Sequence, residues 1–304
     1  MMLRTLLTAL VISTVPAVAQ QRWTATELTN TTLPAEIVAE TRAPALGGIP
    51  HMLTATASGE SGRDVSIARA WYAQPTSRYG HGVLGDRIEG GALVVALSNG
   101  RQVSYRLDET LVFEDIAPRI ADLDGDGAYE VVTILSHLRQ GAAVAIFAIS
   151  GDVLVKRAQT PFIGRANRWL NIAAIGHFSG GNTPDIAFVA TPHIGGKLGF
   201  LKYLRNNLLL FATDAGYSNH VIGSPELRLS ASADIDGDGR PELALPSADR
   251  SALRIVGFTT NGLKEVARAS LPGRIDKAIL AEGSGNNASF TVGLEDGRIF
   301  RVRR

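Results

Sequence analysis

Two stretches of the chain place four acids at nearly alternate positions of a glycine-rich loop: Asp122-Leu-Asp-Gly-Asp-Gly-Ala-Tyr-Glu130 and Asp234-Ile-Asp-Gly-Asp-Gly-Arg-Pro-Glu242. Alternate residues of a tight loop converge, so Asp122, Asp124, Asp126 and Glu130 face one centre and Asp234, Asp236, Asp238 and Glu242 face another. Two carboxylates ~4 Å apart repel by about 4 kcal/mol at an effective dielectric near 20. Each loop therefore calls for a cation when ionised. All-oxygen ligation without His or Cys favours calcium, and the peptide oxygens of Ala128 and Arg240 stand where a position-seven ligand is expected. Gly125, Gly127, Gly237 and Gly239 supply the backbone freedom that curls the loops inward. These are not EF-hands, because position twelve is Thr133 or Leu245, inside apolar strand-like runs, rather than glutamate between helices.

The loops belong to a repeat. A worn copy, Ile175 to Asp185, replaces the first three acids with His177, Ser179 and Gly181 and keeps Asp185, so it is expected to hold calcium weakly or not at all. The copies are about 55 residues apart, a period of stacked supersecondary units. Weaker relatives occur at Gly85 to Gly91 before Ala92–Leu97 and at Ala281 to Ala288 before Ser289–Leu294. Each unit reads strand, loop, strand, then two more apolar runs, such as Ala143–Ile149 with Val153–Lys156, or Leu198–Tyr203 with Leu208–Phe211. Four antiparallel strands per repeat predict an all-β fold, a β-propeller of about five four-stranded blades. The last unit runs out at Arg304 after three strands, so an N-terminal strand within Met52 to Ser58 is expected to complete it and remove an exposed edge.

The acid loops resemble the calcium loops of FG-GAP or VCBS-type repeats, as in integrin alpha-subunit propellers. The chain from about Arg78 onward is similar to exported bacterial VCBS repeat-containing proteins. The resemblance implies a calcium-stabilised propeller. It leaves the role open, since proteins that share the repeat include adhesion modules and lyase scaffolds. The first, third and fifth units depart from the pattern.

The whole chain narrows the field. Its 304 residues contain no Cys, which excludes disulfides, Cys-ligated metals, a thiol nucleophile and a lipidated cysteine anchor. A net charge of +1, from 30 basic and 29 acidic residues, offers no broad field for a nucleic acid. Arg4, the apolar run Leu6 to Val15 and Ala17-Val18-Ala19 read as a signal peptide spanning residues 1–19, and neither that run nor any later one is long enough for a transmembrane segment. The expected location is periplasmic or secreted. Residues 20–304 are expected to form one domain, with 20–77 partly irregular.

The connections at the end of each unit opposite the acid loops collect four of the six His: His81, His137, His193 and His220, with Arg165 and Trp169 nearby. A shared pocket there would suit a sugar or peptide, or, through neutral imidazoles, a transition metal. The alternative is that each His satisfies its own loop. Other motifs are thin: Gly195-Gly-Lys197, Asp296-Gly297 and Ser58-Gly-Glu-Ser-Gly62 all read as turns. The leading expectation is a non-enzymatic calcium-binding module of the cell envelope with a protein or glycan ligand. Its rival is an exported carbohydrate-active lyase or hydrolase using the His, Arg and Trp residues.

Overall fold

The computed structural model describes residues 22–29, 48–58, 61–62 and 65–304; residues 1–19, read above as a signal peptide, lie outside them. The architecture is all-β, and among the described residues no helix is long and apolar enough to cross a membrane.

The chain starts with Thr24–Glu27 (β1), whose partner lies at the far end of the sequence. Ala55–Thr56 (β2), Ile67–Thr76 (β3), Glu89–Leu97 (β4) and Gln102–Arg106 (β5) pair in that order as the first four-stranded antiparallel run. Leu111–Phe113 (β6) bridges β4 to a second run, Arg119–Ala121 (β7), Glu130–His137 (β8), Gly141–Ser150 (β9) and Val153–Gln159 (β10). The two runs thereby share one nine-stranded sheet. Leu170–Gly176 (β11), Asp185–Ala190 (β12), Lys197–Leu204 (β13) and Asn207–Ala215 (β14) form a separate four-stranded sheet. Ala231–Ala233 (β15), Glu242–Pro246 (β16), Ala252–Thr259 (β17) and Gly262–Ser270 (β18) form the next. In the last sheet, Ile275–Glu282 (β19), Ser289–Leu294 (β20) and Ile299–Arg303 (β21) are joined by β1, with Thr24 opposite Arg303 and Glu27 opposite Phe300.

Two sequence expectations need correction. The strand that completes the last sheet is Thr24–Glu27, whereas Met52 to Ser58 carries β2 of the first run. Trp23 explains the choice: it is buried and sits 5.9 Å from the Phe290 ring, anchoring β1 on the last sheet. Gly85 to Gly91 is likewise no relative of the acid loops. It lies in the β3–β4 connection, at the opposite end of its sheet, while the first run's equivalent turn precedes β3 and donates Gly62 N–H to Gly127 O at 3.0 Å.

The core lies between the sheets. Its clusters join the first run to the second (Tyr72, Leu93, Val131, Phe147) and the second to the third (Val132, Ile146, Ile172, Ile186). Others join the third run to the fourth (Val189, Phe200, Leu243, Val256) and the fourth to the last (Leu253, Ile255, Phe290, Val302). Middle strands covered on both faces are buried over most or all of their length, as β9 and β20 are, while an outer strand such as β14 is exposed or half-buried throughout. Replacing Trp23 with Ala is expected to cost about 3–5 kcal/mol in urea unfolding, the range for deleting a buried Trp. A loss below about 1 kcal/mol would show that β1 does not hold the last sheet.

Candidate functional site

Both acid loops connect the first and second strands of their runs, β7 to β8 and β15 to β16. They share one hydrogen-bond plan. Asp122 accepts from Gly125 N (2.7 Å) and Gly127 N (3.0 Å), while Asp234 accepts from Gly237 N (2.7 Å) and Gly239 N (2.9 Å). All four glycines have φ between 76° and 84°, the left-handed region that L side chains avoid. Glu130 and Glu242 open the buried strands β8 and β16 and reach back to accept from Leu123 N and Ile235 N, each at 2.8 Å.

Ligand oxygens of Asp122, Asp124 and Glu130 lie within 4.8 Å of one another, as do those of Asp234, Asp236 and Glu242. Asp126 and Asp238 fall outside these triads. Asp126 caps Ala128 N at 2.7 Å, and Asp238 takes Arg240 N at 2.8 Å together with the Arg240 guanidinium. Burial, reinforced by the neighbouring aspartates, pushes Glu130 up to about 8 and Glu242 up to about 7. The donor set fits a hard divalent cation, whose charge would let all three acids ionise at neutral pH.

The worn loop meets the same demand with its own cation. Asp185 is fully buried, accepts from Ser179 N (2.7 Å) and Ser179 Oγ (3.0 Å), and pairs with Lys202 Nζ at 2.8 Å. Lys202 also donates to Thr183 O at 2.6 Å and sits directly across the β12–β13 ladder from Asp185. The corresponding positions opposite Glu130 and Glu242, one step beyond the Val131–Phe147 and Leu243–Val256 pairs, are Ala148 and Gly257. A Cβ at Gly257 would come within 2.8 Å of Glu242 Cγ. Small residues thus face the acid loops, and a lysine faces the loop that lost its acids.

At the other end of the sheets the His residues separate into different roles. His137 is local: its Nδ1 accepts from Arg139 N at 3.0 Å, and its ring lies 5.4 Å from Phe162. Arg165 is exposed, its carbonyl close against Gly141, and among the described residues no contact brings its side chain to the other three His. His81, Trp169, His193 and His220 do come together. Trp169 is buried, donates Nε1–H to Glu114 O at 2.9 Å, stacks parallel to His193 at 6.3 Å and lies 4.6 Å from His220. His81 Nδ1 is 2.6 Å from Glu114 Oε1, and Ser136 Oγ donates to Glu114 Oε2 at 2.6 Å. His193 Nε2 is 2.9 Å from His220 Nδ1, and His220 Nε2 is 2.8 Å from Ser224 O.

Sequence reading missed the acids of this end. Glu89, Glu114 and Asp115 are buried; Asp115 accepts from Tyr72 OH (2.7 Å) and pairs with Arg119 (2.5 Å). Burial and the neighbouring Glu114 push Glu89 up to about 9. The overlooked signal was Glu114-Asp115, two acids inside the apolar stretch Leu111 to Ile116. Two connections at this end also meet: Gly223 N, after Val221-Ile222, donates to Val83 O at 2.8 Å.

Two tests follow from this geometry. Lys202→Met strands the buried Asp185 carboxylate and is expected to cost about 3–5 kcal/mol in denaturant unfolding, while an unchanged stability would leave Lys202 no role as internal cation. Burial pushes His193 down to about 4 and His220 down to about 3. In the unfolded chain both bind protons below about 6.5, so stability is level above that pH and is lost as pH falls toward 4. Substituting both with Gln is expected to flatten the fall in melting temperature between pH 6.5 and 4.5. A slope identical to that of the parent protein would contradict neutral burial of the pair.

No family model matches the chain, and no curated protein matches it. Among solved structures, a rhamnogalacturonan lyase aligns with a TM-score of 0.41 and 12% identity, over 80% of this chain and 58% of that one. The chain thus spans less than two thirds of that structure's length.

Proposed function

We propose that the chain is an exported, calcium-loaded β-propeller of five blades that acts as a non-enzymatic binding or scaffold module of the cell envelope. The observation that carries this reading is the pair of acid triads, Asp122, Asp124 and Glu130 with Asp234, Asp236 and Glu242, at one loop position of two repeats. Calcium would be held by these acids, joined by Asp126 and Asp238 and by the carbonyls of Ala128 and Arg240. It would neutralise the converging charge and fix the entry into β8 and β16. Five four-stranded runs, core clusters between successive runs and the β1–β21 pairing favour a ring. Export rests on the signal-like segment of residues 1–19, and the FG-GAP or VCBS resemblance agrees with both parts.

A second reading has one specific observation behind it. His81 held by buried Glu114, with the buried acid Glu89 in the same cluster, has the elements of a general-base pair and a proton donor, as an exported carbohydrate-active lyase or hydrolase would need. Turnover of glycan substrates, lost in His81→Gln and Glu114→Gln, would favour the enzyme; binding without turnover favours the module.

Removing calcium with a chelator is expected to lower the melting temperature. At calcium one hundredfold above Kd each site adds about 2.7 kcal/mol. Asp124→Ala and Asp236→Ala are each expected to remove one site's share. A melting curve unmoved by chelator would overturn the calcium reading.

A further inference from the structure

A cleft of about 260 Å³ opens beside the His193–His220 pair, and the acid loops take no part in it. Its lining brings together His193, Asp249, Arg250, Arg274, Pro192 and Ile222. Three features mark it as built for a ligand.

The first is a fixed proton order. Ser224 O can only accept, so His220 Nε2 carries the hydrogen and His220 Nδ1 is the acceptor. The proton in the 2.9 Å contact between the rings then belongs to His193 Nε2. His193 Nδ1 is left as a bare lone pair, with no hydrogen-bond partner among the described residues. Trp169, stacked parallel at 6.3 Å, holds the ring in place. Burial keeps both imidazoles neutral at physiological pH, so the lone pair persists.

The second is unspent positive charge. Arg250 and Arg274 are close enough that Arg274 helps hold the Arg250 guanidinium below its usual range, after the effect of burial. Arg250 reaches only Ile275 O, at 3.4 Å, and the Arg274 side chain makes no hydrogen bond or ion pair among the described residues. Asp249, the acid of the lining, is occupied by Ser247 Oγ at 2.6 Å and Ser251 Oγ at 2.7 Å. Glu295 and Asp276 act on Arg250 electrostatically but lie outside the lining. With both His neutral, the lining carries one net positive charge.

The third is backbone strain. Arg250 has φ 62°, and Thr191, two residues before His193, has φ 49°; non-glycine residues hold such angles when the surrounding structure enforces them, and they gather at ligand sites.

We infer that this cleft binds a small hydroxylated monocarboxylate, with the carboxylate on Arg250 and Arg274 and an adjacent hydroxyl donating to His193 Nδ1. Guanidinium forks match carboxylate geometry. A dianionic phosphate matches less well, because its second charge exceeds the single net positive charge of the lining and would face Asp249. Pro192 and Ile222, the latter 64% exposed, offer an apolar wall to the C–H face of the ligand. The volume, just under the usual range of drug-sized pockets, suits one sugar ring or a smaller hydroxy acid. This site stands apart from the calcium reading, and either can fail alone.

Titration calorimetry on the whole protein with calcium present, using glucuronate, lactate, acetate, glucose and inorganic phosphate as probes, tests the inference. Glucuronate or lactate is expected to bind at least about tenfold more tightly than glucose, the step worth one charge-assisted hydrogen bond, and about twofold to tenfold more tightly than acetate, the step worth a neutral one. The tighter of the two identifies a sugar acid or a short hydroxy acid as the source. Arg274→Gln, at an exposed position, is expected to weaken binding by about tenfold or more with an unchanged melting curve. His193→Phe is expected to remove the preference for lactate over acetate. Glucose binding as well as glucuronate, phosphate binding more tightly than either acid, affinity indifferent to Arg274→Gln, or no heat from either hydroxy acid at about 10 mM would each overturn the assignment.

Discussion

Converging carboxylate charge at the mouths of two buried strands is the constraint on which the rest of the molecule depends. Glu130 and Glu242 are each 5% exposed and are the first residues of β8 and β16, which run through the core clusters. Each also holds an amide of its own loop, Leu123 or Ile235. The glutamate therefore links the loop charge to the core. It cannot swing out to relieve repulsion from Asp122 and Asp124, or from Asp234 and Asp236, without releasing the backbone that starts the strand. Protonation or a bound cation can relieve the charge in place, and at neutral pH a hard divalent cation would do so while leaving the acids ionised.

The third run shows the same constraint solved without a metal. Lys202 places an ammonium against Asp185 from the neighbouring strand, and the small Ala148 and Gly257 occupy the matching positions beside the acid triads, leaving room for a cation. One architectural slot thus holds a side-chain cation in the third run and, in the second and fourth, an acid triad with the donors to hold an ion. The other end of the sheets is built on different physics: buried carboxylates, imidazoles kept neutral and indole stacking, with Glu114 joining His81 to Trp169 through its side chain and its carbonyl. One end of the molecule gathers negative charge, while the cleft at the other is lined by two guanidiniums.

Much of this was legible in the chain because the repeat kept a rigid spacing. Strand–loop–strand order, four strands per unit and the acid positions all follow from residues that pack or repel locally. Long-range choices were not legible. Thr24–Glu27 closes the last sheet because Trp23 finds Phe290, a contact nearly the full length of the chain apart, while the more apolar Met52 to Ser58 was an equally plausible edge by composition. Gly85 to Gly91 imitated the loop rhythm, yet it lies at the opposite end of its sheet, where Gly223 N bonds Val83 O. Asp126 and Asp238 share the motif spacing and lie outside the triads, where each accepts from the backbone amide two residues on, Ala128 or Arg240. Glu114 was missed because nothing in an apolar run reveals that its acid will meet a histidine thirty-three positions away.

Calcium titration of the metal-free protein by calorimetry tests the central claim most directly, because it counts the loops that need an ion. Two sites per chain are predicted, falling to one when either triad is broken, with the Lys202-filled loop silent. No binding, or a third site of similar affinity, would contradict the account.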